Sequence, residues 1–514
     1  MSTITQLICN KFGGIRTKNA IFSKDVITAQ DIQNVELYYT GTNGGVGIRT
    51  AKGNIAINDA LAGNERIINI YQSIQGGVTY FFVHTEDSTQ GKIYQYDLVS
   101  NTLNLKIANL QLSGVSNAVD FAQGWSDLFV FTTGKELLTI EIGAEDEHGE
   151  LDEVKMIDAT DPDGRAVKGL GLVQYDGRLW LFEGNILRYC VQNNIYDWAT
   201  SDATVATSAG FIEYTKAITT IHLYLGTLAI FFKDSSIQLQ GTYPYSQGEE
   251  SPGGCAGTHA IVFHGTELYF YDDTKKGIFS FSQIVLGDKT LGKNIAEEIQ
   301  NELLNVDSNR LNEVYALSVV LSDRNEIWWI LPTTDENYSI ILIYDYLKRE
   351  WIKRKSQKIN CAIVYEGTLY SGSNSGKILN EYNSNTFDGE YIQHYYYCSP
   401  FNFGAMNTLK VLMFPPRTFL DLPYINNFYV KYIKNFNNFK KPKVKYIKAK
   451  YKNFLIYGVG YWGVNYWASK ATNAVGKFPT SNFKILEIQI YTENASQNFA
   501  IKNIEFSKVK IKQV

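Results

Sequence analysis

The feature of this sequence that most constrains its fold is a hairpin pattern that recurs between about residues 66 and 385. In each copy an apolar strand runs into a tight turn, and a second strand rich in Tyr, Phe or Trp follows. Two such strands joined by two turn residues are a strong short-range sign of a β-hairpin. Four copies are Leu170–Tyr175 with Arg178–Phe182, Ile218–Tyr224 with Thr227–Phe232, Ile261–His264 with Glu267–Tyr271, and Cys361–Tyr365 with Thr368–Tyr370.

A third strand that begins at or near glycine follows several hairpins, as at Gly91–Tyr96, Gly277–Phe281 and Gly376–Leu379. The hairpins return roughly every 35 to 50 residues, the length of one four-stranded blade of a β-propeller. Radial repetition buries each hairpin against its neighbours and leaves few open sheet edges. We therefore predict an all-β fold whose body is a propeller of six or seven blades. A large irregular β-sandwich is the alternative.

The ends of the chain differ from its middle, and they set the predicted domain boundaries. Residues 1–62 carry little periodicity and are predicted to be an N-terminal arm with one or two strands. Residues 63–388 form the propeller-like domain, and residues 389–514, rich in Tyr, Asn and Lys, form a C-terminal β-sandwich. One short helix is predicted over 294–304, inserted between two blades, because Ile295, Ile299 and Leu303 have helical spacing after Asn294 as N-cap.

Composition excludes several classes of protein. Aromatic residues make up 14% of the 514-residue chain and favour strands, while a net charge of −4 argues against a globally basic nucleic-acid binder. Five scattered cysteines indicate reduced, mostly buried thiols in a protein assembled in a cytoplasm. We expect no signal peptide, because no apolar stretch follows a basic N-terminus, and no membrane span.

No catalytic constellation is apparent, and we predict no enzymatic activity, cofactor or metal. The loop Gly287–Asn294 nearly matches a phosphate-binding loop, but Asn294 stands where a hydroxyl must hold magnesium. The acidic stretch from Glu145 to Gly164 lacks the ligand ladder of a calcium loop. The six histidines are dispersed and form no metal or nucleophile motif. These segments are interpreted as loops and ordinary core positions.

A basic run is the only candidate contact site in the sequence. Nine lysines fall within the 22 residues from Lys431 to Lys452, which contain no Asp or Glu. Such a strand face either contacts phosphates or an acidic neighbouring subunit, or is a solvated edge protected by lysine. The residues proposed for contact are Lys440, Lys441, Lys443, Lys445, Lys448, Lys450 and Lys452.

Taken together, several segments resemble the tail nozzle proteins of short-tailed bacteriophages (the tail tubular protein B type) and the related packaged-DNA stabilisation proteins. The resemblance is one of pattern over nearly the whole chain, and no single motif defines it. The segments are Asn10–Ile15, Asn34–Leu37, Gly47–Arg49, Asp176–Trp180, Asn193–Trp198, Phe231–Leu239, Gly253–Gly257, Ile261–Phe270 and the C-terminal β region.

The resemblance implies a structural protein of the virion tail, made in the host cytoplasm. It implies a ring of six copies below the portal and adaptor, which retains packaged double-stranded DNA and conducts it non-specifically during ejection. Its partners would be further copies of itself, portal, adaptor and other tail proteins, with no small-molecule substrate. Two alternatives remain: a virion-associated receptor or glycan-recognition protein, and a propeller glycosidase, for which Ser322–Trp328 is similar to a single Asp-box turn.

Overall fold

The computed structural model describes the chain in segments. They are residues 3–9, 11–17, 26–40, 45–59, 61, 65–123, 126–145, 151–202, 205, 207–281, 294–335, 337–403, 408–412, 416–421, 427–435, 443–448, 473–475 and 483–512. The chain divides into two compact units. The first comprises residues 1–54, 342–355 and 382–514, and the second comprises residues 55–341 and 356–381.

The second unit is built on seven small antiparallel sheets that follow one another along the chain, as a seven-bladed propeller does. We call them blades 1 to 7 and number the strands of each blade outward from the axis. Blade 1 comprises Arg66–Gln75, Val78–Glu86, Gly91–Asp97 and Thr102–Leu110. Blade 2 comprises Asn117–Gln123, Ser126–Thr132, Leu137–Glu145 and Leu151–Met156.

The middle blades vary this plan. Blade 3 comprises Leu170–Tyr175, Arg178–Glu183, Ile186–Tyr189 and Gly210–Glu213. Blade 4 comprises Ile218–Tyr224, Thr227–Phe232 and Ser235–Gln240, with Ser246–Gln247 and Ser251–Pro252 both pairing with the third strand. Blade 5 comprises Ile261–His264, Glu267–Asp272 and Gly277–Ser280.

Blades 6 and 7 complete the ring. Blade 6 comprises Tyr315–Leu321, Arg324–Leu331, Tyr338–Asp345 and Glu350–Gln357; the division between the two units falls inside its outer hairpin. Blade 7 comprises Ile359–Tyr365, Thr368–Ser373, Ile378–Ser384 and, as its fourth strand, Gly53–Ala56. A strand from early in the chain therefore completes the last blade, so that blade 7 gains its outer edge from the segment that precedes blade 1.

The blades are held together by the period-two alternation of their strands. In the second strand of blade 1, Phe81 and Val83 pack in a cluster with Cys361 and Ile378 of blade 7, whereas Phe82 packs against blade 2. The ring of Phe82 stacks on that of Phe129 with centroids 4.4 Å apart. Because neighbouring side chains point to opposite faces, both faces of each blade are apolar and each is buried by the next blade.

The four predicted hairpins are confirmed, each with a two-residue turn. The predicted helix is present in shortened form, as a 3-10 turn Glu297–Ile299 followed by an α-turn Gln300–Leu303. It lies between blades 5 and 6, as predicted. Ala296, rather than Asn294, is its N-cap, although Asn294 Oδ1 accepts the Ala296 amide at 2.9 Å. A second 3-10 turn covers Leu311–Glu313. Among the described residues no helix is long and apolar enough to cross a membrane.

The first unit is organised around one thirteen-stranded sheet, to which both ends of the chain contribute. The long strand Ala500–Lys512 pairs with Thr3–Cys9, Val46–Thr50, Leu409–Leu412 and Arg417–Leu420. The strands of the predicted C-terminal sandwich share this sheet with N-terminal strands. The remaining strands are Lys11–Ile15, Val26–Gln33, Val35–Tyr39, Tyr395–Cys398, Asn427–Lys434, Lys443–Lys448, Asn473–Val475 and Leu486–Tyr491.

The predicted boundaries at residues 62/63 and 388/389 therefore differ from the compact units. Residues 1–54 and 382–514, which the sequence analysis assigned to an arm and a sandwich, belong to the same unit. The sequence pattern separated them because backbone pairing between the two ends of a chain leaves no local signal.

Candidate functional site

The candidate site lies at one end of the propeller axis. All seven first strands begin at this end, which we call the mouth, and run to the opposite end, the turn face, where the first strand of each blade turns into the second. A cavity of about 250 Å³ opens at the mouth, and we call it the mouth cavity. Its lining is polar and includes Arg66, Asn69, His259, Arg310, Tyr315 and Lys358.

A network of hydrogen bonds fills the axis beneath the mouth cavity. His259 Nε2 lies 2.7 Å from the carbonyl oxygen of Ser116, so this nitrogen donates. Ser116 Oγ in turn bonds Tyr71 Oη at 2.9 Å and His84 Nδ1 at 3.0 Å. His259 precedes blade 5 and Ser116 precedes blade 2, which are not adjacent in the ring. The His259 side chain therefore reaches across the axis, and the centre of the propeller is closed at this level.

Burial shifts the pKa values of the titratable groups in this network so that their neutral forms are favoured. It lowers the pKa of His84 to about 4, with Glu86 opposing this change and Arg66 adding to it. It also lowers the pKa of His259, against the effect of the Ser116 carbonyl. Burial raises the pKa of Tyr71 and of Tyr315. Because uncharged groups bond one another here, the network holds the blades in place without a buried charge.

One side of the mouth is formed by an ion pair between Arg66 and Glu86. Arg66 Nη2 donates to Glu86 Oε2 at 3.0 Å, and the amides of Ser113 and Gly114 donate to Glu86 Oε1 at 2.7 and 2.8 Å. Burial alone would raise the pKa of Glu86, but these donors outweigh it and lower the pKa. The Glu86 side chain is fully buried while that of Arg66 is 47% exposed, so the guanidinium faces the cavity from an anchored position.

Glu313 forms another part of the mouth lining and holds two cations. Arg310 donates through Nε and Nη2 to the two carboxylate oxygens, both at 2.7 Å, and Lys358 Nζ donates to Oε2 at 3.0 Å. Burial would raise the pKa of Glu313, but the two cations lower it. The bidentate geometry fixes the plane of the Arg310 guanidinium. Three cations and one carboxylate thus line the mouth cavity.

A second cavity of about 600 Å³ adjoins the first and shares Arg66 and Glu313 with it. Its other charged residues are mainly acidic: Glu86, Asp87 and Glu183, against Lys135. The mouth of the propeller is therefore divided into a cationic part near the axis and an acidic part beside it.

The structure places the sequence-predicted lysines elsewhere, in the first unit. Lys443, Lys445 and Lys448 lie on the strand Lys443–Lys448, which pairs with Asn427–Lys434. On that strand the intervening Val444 and Tyr446 are exposed. Lys440, Lys441, Lys450 and Lys452 lie outside the described residues, as does the loop 287–293. The phosphate or subunit contact proposed for these lysines stays a prediction.

The acidic stretch forms ion pairs where it is described. Asp161 accepts from Arg165 Nε at 2.9 Å and from the buried Arg188 Nε at 3.1 Å. Within the described part of the chain, no group of three or more His, Cys, Asp or Glu side chains is arranged to hold a metal ion.

Sequence reasoning did not find the mouth residues, because no motif connects them. Arg66 begins the first strand of blade 1, Arg310 precedes that of blade 6, and Lys358 immediately precedes that of blade 7. These cations could have been grouped from the sequence only by aligning the blades on their first strands, which shows that each cation lies at or just before the start of a first strand.

No protein-family model matches the chain, and no curated protein matches it. Solved structures with a similar fold include a catalytically inactive virginiamycin B lyase from Staphylococcus aureus with quinupristin. It is 13% identical, with a TM-score of 0.41 over 63% of this chain and 97% of that one. BamB from Moraxella catarrhalis is 10% identical, with a TM-score of 0.37 over 68% of this chain and 94% of that one. The designed protein Ika8 is 10% identical, with a TM-score of 0.36 over 63% and 98%. Similarity at this level says nothing about what this chain binds or catalyses.

Proposed function

We propose that this chain is a structural subunit of a bacteriophage tail. Several copies would form a ring below the portal and adaptor, which retains packaged DNA and conducts it during ejection. The resemblance noted in the sequence suggests this role, and a propeller combined with a second β unit is the architecture that the resemblance implies. In this role the protein acts through its shape and its contacts with other subunits rather than through catalysis.

The observation that carries the proposal is the apolar turn face of the propeller. Large apolar side chains are exposed where the first strands end at this face. They are Leu223 in blade 4, Phe263 in blade 5 and Val320 in blade 6, together with Leu225 in the turn of blade 4. These three blades are neighbours, so the side chains lie along one arc of the turn face. Clustered large apolar side chains at a surface mark protein contacts, and a self-assembling ring needs such contacts on every copy.

Leu225 supports this interpretation through its backbone. It occupies the first position of a two-residue turn with φ of +46°, followed by Gly226 with φ of +75°. Asn, Asp or Gly favours this left-handed conformation, and a bulky residue there is unusual. The Leu225 side chain is also 71% exposed. A leucine that is unfavourable for the turn and leaves its side chain in water is better explained by a contact with another copy than by folding.

The experiment is native mass spectrometry of the purified full chain, with negative-stain images of the same sample. We expect a closed ring of about six copies, the number that the resemblance implies. Leu225→Asn suits the turn better than leucine does, so it should preserve the fold while it weakens the ring, and adding Phe263→Ser should weaken it further. Val99→Asn is the matched control, because Val99 is 94% exposed in an outer turn of blade 1.

The outcomes separate clearly. Val99 lies at the same end of the propeller but in blade 1, so a ring that is lost in Leu225→Asn and kept in Val99→Asn supports an interface at the exposed arc of blades 4 to 6. A wild-type chain that stays monomeric alone and with portal and adaptor proteins contradicts the proposed function. A ring that both variants preserve leaves the assembly in place but contradicts the turn face as its interface.

A further inference from the structure

The mouth cavity has the chemistry of a ligand site, and neither the proposed ring nor the fold requires it. Its volume of about 250 Å³ lies just below the usual range of small-molecule pockets and suits a ligand of one ring. All of its lining residues belong to the propeller unit. The cavity can therefore be treated as one preformed site.

The charge of the cavity selects an anion. Arg66, Arg310 and Lys358 line it, and Glu313 is the one carboxylate among its lining residues. The cations are held in place before any ligand arrives, because Glu86 anchors Arg66 and Glu313 anchors the other two. Preorganised cations lose less conformational entropy on binding than flexible ones, which favours recognition of a carboxylate.

The remaining lining selects a hydroxylated ligand. Four asparagines, at positions 69, 312, 360 and 374, line the same cavity. Asn69 and Asn360 already donate through Nδ2 to groups of the propeller, whereas the exposed amide of Asn312 can donate to and accept from a hydroxyl. Tyr315 adds an aromatic ring, which packs beside His259 with centroids 5.2 Å apart. Amides and an aromatic ring beside fixed cations match a sugar that carries a carboxylate better than a bare anion.

We propose that the mouth cavity binds a single acidic sugar unit, with its carboxylate toward Arg66, Arg310 and Lys358 and its hydroxyls toward the asparagines. This inference does not rest on the proposed ring, because the cavity lies at the mouth and the apolar turns lie at the opposite end of the blades. A virion protein with such a site would contact surface polysaccharide, whereas a failure to bind sugar would leave ring assembly unaffected.

The test is isothermal titration of the full chain with glucuronate, glucose and inorganic phosphate. We expect glucuronate to bind with a Kd of about 1 mM or tighter, and glucose and phosphate to bind at least about tenfold more weakly. Arg66→Gln and Lys358→Gln should each weaken glucuronate binding about tenfold. Lys216→Gln makes the same charge change in an exposed ion pair of blade 4 and should leave binding unchanged.

Arg66→Gln leaves the buried Glu86 without its cation and could therefore destabilise the fold. A second variant tests the cavity without this effect. Asn312 is exposed, and Asn312→Asp adds a negative charge to the cavity at nearly constant size. It should weaken glucuronate binding about tenfold without destabilising the fold. No glucuronate binding by the wild type, phosphate binding as tight as that of glucuronate, or unchanged binding in Asn312→Asp would each overturn the inference.

Discussion

The propeller should lose stability between pH 8 and pH 5 because of His84. Its side chain is fully buried, its Nδ1 bonds Ser116 Oγ at 3.0 Å, and its ring packs edge-on against Phe131 at 5.2 Å. This burial lowers the pKa of His84 from 6.5 to about 4. The folded protein thus keeps the imidazole neutral at pH values where the unfolded chain protonates it.

The direction and size of the effect follow from proton linkage. The unfolded state binds more protons between pH 6.5 and pH 4, so stability is full above pH 6.5 and falls as the pH drops. The difference between the pKa of His84 in the unfolded and folded states lowers the free energy of unfolding by about 3 kcal/mol once the pH is below 4. At pH 5 the loss is about 2 kcal/mol. Glu86, whose pKa is lowered, adds its own loss only below its ordinary value of 4.5.

The assay is urea unfolding at pH 8 and pH 5 at equal ionic strength, followed by tryptophan fluorescence, since Trp180, Trp328 and Trp329 are buried in the blades. His84→Gln retains a hydrogen-bonding side chain and removes the titration. The other histidines remain in this variant, so its smaller pH dependence isolates His84. We expect the variant to lose about 2 kcal/mol less than the wild type between the two pH values. An equal loss in both proteins would refute the assignment.

Three further changes test the packing of the blades. Phe82→Ala should cost about 3 to 5 kcal/mol in the urea assay, because the ring is fully buried against Phe129 between blades 1 and 2. Arg188→Leu should cost about 3 to 5 kcal/mol, because it removes a buried partner of Asp161; a loss below 1 kcal/mol would show that Arg165 compensates. Removal of residues 1–56 should open the edge of blade 7 and also remove five strands from the sheet of the first unit, so size-exclusion chromatography should show aggregation rather than a soluble monomer.

The hairpins of this fold could be predicted from the sequence, because the two strands of a hairpin and the turn between them are adjacent in the chain. The three consecutive aromatic residues at the end of Glu267–Tyr271 and the Gly265–Thr266 turn before that strand predict two paired strands without knowledge of the rest of the chain. The short helix could be predicted for the same reason, because its apolar residues have helical spacing. Two of them, Ile299 and Leu303, are buried in the structure. What these signals share is that partner residues lie within a few positions of each other.

Pairing between strands that are far apart in the chain leaves no such local pattern in the sequence. The strand Gly53–Ala56 pairs with Ile378–Ser384 across more than 320 positions, and its short, mixed sequence resembles an ordinary loop. The number of blades stayed open between six and seven for a related reason. Blade 5 has three strands among the described residues, and residues 282–293, between its third strand and the short helix, lie outside them. The mouth cations were missed because separate blades contribute each of them.

The closed axis of the propeller bears on the proposed role in conducting DNA. A hydrogen bond of 2.7 Å between His259 and Ser116 spans the centre of each propeller, which leaves no passage for a double helix. In the proposed ring, the conduit would therefore lie between copies rather than through each propeller. In that arrangement the contacts between copies would set the diameter of the channel, so the proposed function would depend on the exposed side chains of Leu225, Phe263 and Val320. Substitutions there should change DNA retention, whereas substitutions at His259 should leave DNA retention unchanged.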